Sequence, residues 1–216
     1  MSGKNRKITS LVDPIMQKVF VKWMVPRIPK WIETYHLTLL TIPFSLLIIL
    51  TGRYARMNSY FLFAHALIVL LQYISDVLDG SLGRHRNTGL VRWGFFMDHF
   101  LDFVFANSIM FSYAQAFGIS IETSAILLVL IGGFFMLEFI ISNIRGMVNV
   151  YGYYGIGPTE ARLGIVLFDI YLGVTRQYPS SFVVNVLTGA ICLILALLVI
   201  STQKSLWQQD MKSKLG

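Results

Sequence analysis

Residues 76–102 begin with Asp76-Val77-Leu78-Asp79-Gly80-Ser81-Leu82-Gly83-Arg84 and end with Gly94-Phe95-Phe96-Met97-Asp98-His99-Phe100-Leu101-Asp102. The aspartates of the first pair are three positions apart and those of the second pair four, so on helices each pair shares one face. The surrounding sequence is apolar and aromatic, and carboxylates in such segments are candidates for a functional site. Because hard Mg²⁺ or Mn²⁺ ions take oxygen ligands and leave positions for phosphate, the pattern indicates a metal site for phosphate chemistry.

The composition is that of a membrane protein. Hydrophobic residues make up 55% of the 216 residues and charged residues 13%, against roughly 25% charged in soluble domains. Six mainly apolar stretches approach the roughly 20 residues that a membrane-spanning helix needs. They are 34–52, 57–75, 103–121, 123–137, 161–175 and 177–203. We predict an all-α integral membrane protein, with one domain over 1–216 and a six-helix transmembrane bundle over 34–203.

The formal net charge is +7, and the distribution of the basic residues agrees with this topology. With six spans, all but three of the 18 Lys and Arg residues lie on the side of the two termini, and the exceptions are Arg53, Arg56 and Arg176. The positive-inside rule then places the termini and the aspartates on the cytoplasmic face of a multi-pass protein. The charge also favours anionic lipids, and it requires no nucleic-acid partner.

The segment 13–24 is predicted to be an amphipathic helix that lies on the membrane surface. Asp13 can cap such a helix, and apolar residues recur every four positions up to Trp23. Lys18 and Lys22 fall on another face, as in interfacial helices. An ordinary helix packed on the cytosolic side is the alternative.

The two aspartate pairs are predicted on consecutive antiparallel helices. The second span should end near Gly80, a polar loop should follow over 81–88, and the third span should rise from about Trp93. The pairs would then face each other across a shared cleft. Asp98 and Asp102 would lie about 6 Å apart along the helix axis, which suits the bridging of two neighbouring ions.

This cleft is predicted to hold one diphosphate site, whose metal ligands are Asp76, Asp79, Asp98 and Asp102. Asp102 is placed either at a second ion or as the base. Gly80 and Gly94 remove side chains where a ligand approaches the backbone, and Arg84 offers a planar donor fork to a phosphate. The alternative is a buried ion network of the aspartates with nearby arginines, among them Arg86 and Arg92. His99 is either a proton relay or a polar residue on a helix face.

The spacing resembles the signature of the CDP-alcohol phosphotransferase family, D-x2-D-G-x2-A-R-x8or9-G-x3-D-x3-D, and the variable gap is nine residues in this chain. The only departure at a fixed position is Gly83, where the family has alanine. The resemblance implies a CDP-alcohol bound at Asp76, Gly80, Arg84 and Gly94, an acceptor hydroxyl that attacks its phosphate, and CMP as the leaving group. It further implies phospholipid synthesis, a cofactor of Mg²⁺ or Mn²⁺ with two ions, and lipid substrates, and relatives suggest a homodimer.

A second polar group is predicted on the same side of the membrane and is assigned to an acceptor pocket. Its members are Asn143, Arg145, Glu160 and Arg162. Residues 157–160, Gly-Pro-Thr-Glu, and the Asp98-His99 pair resemble elements of the choline/ethanolamine phosphotransferase branch. This favours a CDP-aminoalcohol with diacylglycerol, and the alternative is CDP-diacylglycerol with a small alcohol acceptor. Pro158 would equally suit a plain helix start.

Two further acids, Glu138 and Asp169, are predicted within the membrane. Lining of a lipid-acceptor cavity and helix–helix hydrogen bonding explain such acids equally well.

Two other functions also use intramembrane acids. An intramembrane prenyltransferase would place its Asp-rich motifs on separate helix pairs, and a cation transporter would show discontinuous helices or repeats.

Overall fold

The computed structural model describes residues 22–87, 90–145 and 158–215, and the regular structure within these ranges is helical. A 3₁₀ turn, Val25–Arg27, precedes the main helices. These are α1 Thr34–Leu39, α2 Thr41–Ala55, α3 Phe61–Arg86, α4 Val91–Phe117, α5 Ile121–Arg145, α6 Pro158–Thr175 and α7 Ser181–Leu215. The all-α prediction is confirmed for this part of the chain. The predicted interfacial helix over 13–24 lies outside it, except for its last three residues.

Four segments of the described chain are long and apolar enough to cross a membrane. They are Thr34–Ala55, Phe61–Arg86, Ile121–Ile141 and Ser181–Met211. Helices α4 and α6 are not among them, and α6 carries Glu160, Arg162 and Asp169 within its 18 residues. The chain is therefore a membrane protein by its apolar helices, and the count of six spans stays a prediction.

Helix α3 continues past the end that the sequence predicted. The expected end near Gly80 is wrong, because the helix runs on to Arg86 and stops at Asn87, whose φ of 53° is left-handed. Leu82 is fully buried in a small cluster with Val25. Burial of this apolar side chain offsets the low helix propensity of glycine, so the first aspartate pair and the arginine of the motif share one continuous helix.

Close contact between α2 and α4 fixes the scaffold of the site. A Cβ atom on Gly52 would lie 2.1 Å from the Ser112 Oγ atom, so no larger residue fits at this crossing. Small residues allow this approach between membrane helices. A buried cluster from α2, α3 and α4 extends the contact and consists of Ile48, Ile68, Val69, Phe105, Ile109 and Tyr113. Helices α3 and α6 form another closely packed pair.

Arg86 ties the segment before α1 to the end of α3. Its guanidinium donates hydrogen bonds to the carbonyl oxygens of Ile32 at 2.6 Å, Ile28 at 2.8 Å and Pro29 at 3.1 Å. These backbone contacts differ from the ion network with the aspartates that was considered for Arg86 from the sequence. By holding this segment, Arg86 helps to set α1 beside the first aspartate pair.

Candidate active site

The structure brings the four motif aspartates together between α3 and α4. All four are half-buried. Asp98 lies at hydrogen-bonding distance from Asp76 and within electrostatic range of Asp79 and Asp102. The antiparallel run of the two helices produces this arrangement, because α3 ends and α4 begins on the same side of the bundle. The geometry agrees with the predicted cleft.

A cation from a third helix lies between two of these carboxylates. The Arg162 guanidinium on α6 is 2.7 Å from Asp76 Oδ2 and 2.6 Å from Asp102 Oδ1. The planar guanidinium can serve two acceptors at once, and one fork therefore joins α3, α4 and α6. The sequence suggested an ion network with arginines of the motif region, whereas this partner comes from a position 60 residues beyond Asp102.

Two uncharged side chains support the aspartates, and sequence reasoning missed both. The Thr38 hydroxyl group on α1 donates a hydrogen bond to Asp79 Oδ2, and Gln72 Nε2 lies 3.5 Å from Asp102 Oδ1. A signal for Gln72 existed, because it lies one helical turn before Asp76 on the same face of α3. Thr38 offered only its position at the start of an apolar span.

A polar pocket of about 440 Å³ opens beside the first aspartate pair. Its lining comprises Thr34, Thr38, Asp76, Asp79, Gly80, Gly83, Arg84, Asn87, Leu90, Trp93, Gly94, Phe95 and Asp98. All positions predicted to bind the CDP group are thus in one pocket. A Cβ atom on Gly94 would meet no other atom within 4 Å, so the glycine borders open space that a ligand can enter.

An apolar cavity of about 770 Å³ adjoins this pocket between α4, α5 and α6. Eight of its lining residues are phenylalanines, at positions 95, 96, 100, 103, 105, 134, 135 and 139. Its polar lining residues are Asp98, His99, Asp102, Glu138 and Arg162. Phe95 and Asp98 border both spaces, so a polar compartment and an apolar compartment meet at one carboxylate of the motif.

The two intramembrane acids have different surroundings. Glu138 is half-buried, lines the apolar cavity and lies within electrostatic range of His99. Asp169 is fully buried and forms helix–helix hydrogen bonds with His65 and Tyr113. Asp169 therefore takes part in helix–helix hydrogen bonding, whereas Glu138 lines a cavity. His99 itself borders the cavity, and its Nδ1 atom lies 2.8 Å from the Phe95 carbonyl oxygen.

The predicted acceptor residues are spread over two helices. Arg162 lines the apolar cavity, as an acceptor residue should, and also contacts the motif. Asn143 is exposed and donates to the Phe139 carbonyl oxygen at 2.8 Å, while Glu160 is half-buried in the first turn of α6. Neither of these two lines the cavity. The Arg145 side chain lies outside the described part of the chain, and the acceptor assignment stays a prediction.

The chemistry of the carboxylates suits a hard divalent cation. Asp76, Asp79 and Asp98 line one pocket and offer only oxygen donors, which Mg²⁺ and Mn²⁺ prefer. Within the described ranges, no group of three acidic, histidine or cysteine side chains has the mutual geometry to hold an ion. Arg162 instead supplies the positive charge beside Asp76 and Asp102. The donor set fits a metal, and the ion would share these acids with the guanidinium.

Comparison with known proteins agrees with the motif. A protein-family model described as CDP-alcohol phosphatidyltransferase matches residues 27–209. No curated protein and no solved structure matches the chain significantly. The matched range includes all residues that line the two pockets.

Proposed function

Because the chain belongs to the CDP-alcohol phosphatidyltransferase family, we propose that it transfers an aminoalcohol phosphate from a CDP-aminoalcohol to diacylglycerol and releases CMP. Family membership alone implies the coarser reaction, transfer of a phosphate-containing group from a CDP-alcohol in phospholipid synthesis. It also argues against the prenyltransferase and the cation transporter considered from the sequence.

The meeting of two unlike pockets at Asp98 carries the proposal. The polar pocket offers the Arg84 guanidinium to a diphosphate and the Trp93 ring to a nucleobase. The adjoining cavity, with its phenylalanine lining, suits the acyl chains of a lipid. A water-soluble donor and a lipid acceptor would therefore bind in separate compartments, with their reacting ends close to Asp98.

The aspartates divide between the two compartments, and this division suggests their roles. Asp76 and Asp79 line only the polar pocket, so with Asp98 they would hold one or two Mg²⁺ or Mn²⁺ ions. Such ions neutralise the charge of a diphosphate. Asp102 lines only the apolar cavity, where a carboxylate can accept the proton of the acceptor hydroxyl. Arg162, which lies 2.6 Å from Asp102, would orient this base and bind the phosphate during its transfer from donor to acceptor.

The topology and assembly belong to the same proposal. We place six spans in the membrane, with both termini and the polar pocket on the cytoplasmic face, where water-soluble nucleotides are available. The distribution of Lys and Arg along the chain supports this orientation. A homodimer is proposed from the resemblance to the family alone.

Reversal of the reaction tests the donor and the acceptor together. Purified protein would be incubated with labelled CMP, Mg²⁺ and phosphatidylcholine or phosphatidylethanolamine. The proposed reaction run backwards forms a labelled water-soluble CDP-aminoalcohol and diacylglycerol. If the lipid is instead the nucleotide-bearing substrate, the label enters the organic phase as CDP-diacylglycerol, and the alternative reaction is correct. Absence of labelled product with these and other phospholipids, while a family member of known activity exchanges, would refute the proposal.

A further inference from the structure

A second polar layer lies deeper in the bundle on the same three helices that carry the site. The site layer consists of Asp76 on α3, Asp102 on α4 and Arg162 on α6. The deeper layer, here termed the buried triad, consists of His65 on α3, Tyr113 on α4 and Asp169 on α6. Each helix therefore contributes one residue to each layer.

The buried triad is closed off and tightly hydrogen-bonded. The side chains of His65 and Asp169 are 0% exposed. The Tyr113 hydroxyl donates to Asp169 Oδ1 at 2.7 Å, and His65 Nδ1 lies 2.7 Å from Asp169 Oδ2. The His65 and Tyr113 rings stack with centroids 5.1 Å apart. None of the three residues is among those that line the two pockets described above, so the triad lies apart from the spaces assigned to the substrates.

Helical spacing puts both layers on the inward faces of their helices. His65 and Asp76 are 11 residues apart, and so are Asp102 and Tyr113. Arg162 and Asp169 are seven residues apart on α6. Eleven and seven residues are close to three and two full helical turns, so each pair shares one face. Any rotation of α6 that moves Asp169 away from its partners would also turn Arg162 away from the motif.

Hydrogen bonds of these side chains join α4 and α6 at two levels, beside the edge-to-face contact of the Tyr113 and Phe168 rings. Helix α6 packs closely on α3, whereas α4 and α6 are not among the closely packed pairs. Arg162 with Asp102 and Tyr113 with Asp169 both bridge α4 and α6. Apolar contacts of Ile165 and Val166 lie between the two bridges but are not directional. The hydrogen bonds to Asp169 can therefore set the rotation and depth of α6.

We propose that the buried triad is a positioning device, which holds α6 so that Arg162 reaches between Asp76 and Asp102. His65, Tyr113 and Asp169 thus act on the reaction through Arg162 and are positioning residues. This inference rests on the proposed function only where catalysis is measured. Burial of a carboxylate within a membrane is energetically costly, so the full burial of Asp169 agrees with such a role.

Two tyrosine variants separate positioning from plain stability. Tyr113→Phe removes one donor to Asp169. Tyr178→Phe is the matched control, because the Tyr178 hydroxyl also donates one hydrogen bond, to the Ala55 carbonyl oxygen, beyond the far end of α6. We expect Tyr113→Phe to lower kcat by about tenfold, with KM for the CDP-alcohol changed by less than about twofold, because Arg162 is misaligned. Tyr178→Phe should leave kcat unchanged. Equal kcat values for the two variants would overturn the inference.

A thermodynamic cycle tests the same link without substrate. In the first cycle, thermal unfolding would be measured for Tyr113→Phe, Arg162→Gln and the double variant. In a second, parallel cycle, Tyr178→Phe replaces Tyr113→Phe. Tyr113 and Arg162 have no hydrogen-bond partner in common among the described residues, and their layers are about 10 Å apart along α6, so independent effects should add. We expect non-additive effects in the Tyr113 cycle and additive effects in the Tyr178 cycle. Additivity in both would overturn the inference, whereas a wild-type protein without CMP exchange would refute only the proposed function.

Discussion

Loss of the Arg162 charge should destabilise the protein through its two carboxylate partners. Arg162→Gln keeps a polar but shorter side chain and removes the cation between Asp76 and Asp102. The two acids then lie close to each other and to Asp98 without the guanidinium, so their mutual repulsion rises. The arginine is therefore expected to contribute to stability as well as to the proposed reaction.

The size of the effect follows from the burial of the group. Removal of one partner from a buried ion pair costs about 3–5 kcal/mol. The side chains of Arg162, Asp76 and Asp102 are 13%, 23% and 28% exposed, so solvent screens part of the interaction. We expect a loss of about 2–3 kcal/mol for the two contacts together. In a chain of this size, such a loss lowers Tm by about 5–10 °C.

Thermal unfolding in detergent, followed through the fluorescence of the four tryptophans, would measure this loss. Arg162→Lys keeps the charge but not the fork, and it should fall between the wild type and Arg162→Gln. Arg92→Gln, at an exposed arginine of α4, is the control and should change Tm by less than about 2 °C. Mg²⁺ should raise Tm more in Arg162→Gln than in the wild type, because a cation can replace the lost charge. Equal Tm values for Arg162→Gln and Arg92→Gln would refute the reasoning.

Three other predictions concern the metal, the helix packing and the topology. A chelator should abolish CMP exchange, and Mg²⁺ or Mn²⁺ should restore it. The variants Asp76→Asn, Asp79→Asn and Asp98→Asn should each lose CMP exchange without unfolding. Exchange activity retained in any two of them would contradict the ligand assignment. Gly52→Ala should cost about 1–3 kcal/mol of unfolding free energy because its methyl group would overlap Ser112, whereas Gly164→Ala, which meets no atom within 4 Å, should not destabilise. Cysteines introduced at Asn58 and Ser205 should react with impermeant reagents from opposite sides of the membrane, and labelling from one side would exclude six spans.

The spacing of the motif and the apolar stretches were enough to predict the helices and the gathering of the aspartates. Regular spacing is local information, because residues three or four apart share a helix face. Arg162 could not be paired with Asp76 and Asp102 in advance, since 86 and 60 residues separate these pairs and only tertiary packing joins them. The wrong end of α3 has a similar origin, because burial of Leu82 depends on the segment before α1.

Glu138 and Asp169 show the same limit in another form. Both acids lie within an apolar stretch of a helix, and nothing in those stretches distinguishes them. Their environments differ because Glu138 lies on a face of α5 that borders the cavity, whereas Asp169 lies on a face of α6 that meets His65 of α3 and Tyr113 of α4. The role of an intramembrane acid therefore depends on which neighbour its helix face meets, and the sequence of that helix does not contain this information.

In the proposed reaction, the shared border at Asp98 and Phe95 means that the two substrates arrive from different phases. The nucleotide comes from water, and its supply depends on molarity. The lipid comes from the bilayer, and its supply depends on mole fraction within the membrane plane. Addition of inert phospholipid, with the bulk concentrations of both substrates held constant, lowers the mole fraction of the lipid substrate and should therefore slow the reaction. Activity of the protein would in this way report the composition of the membrane in which it lies.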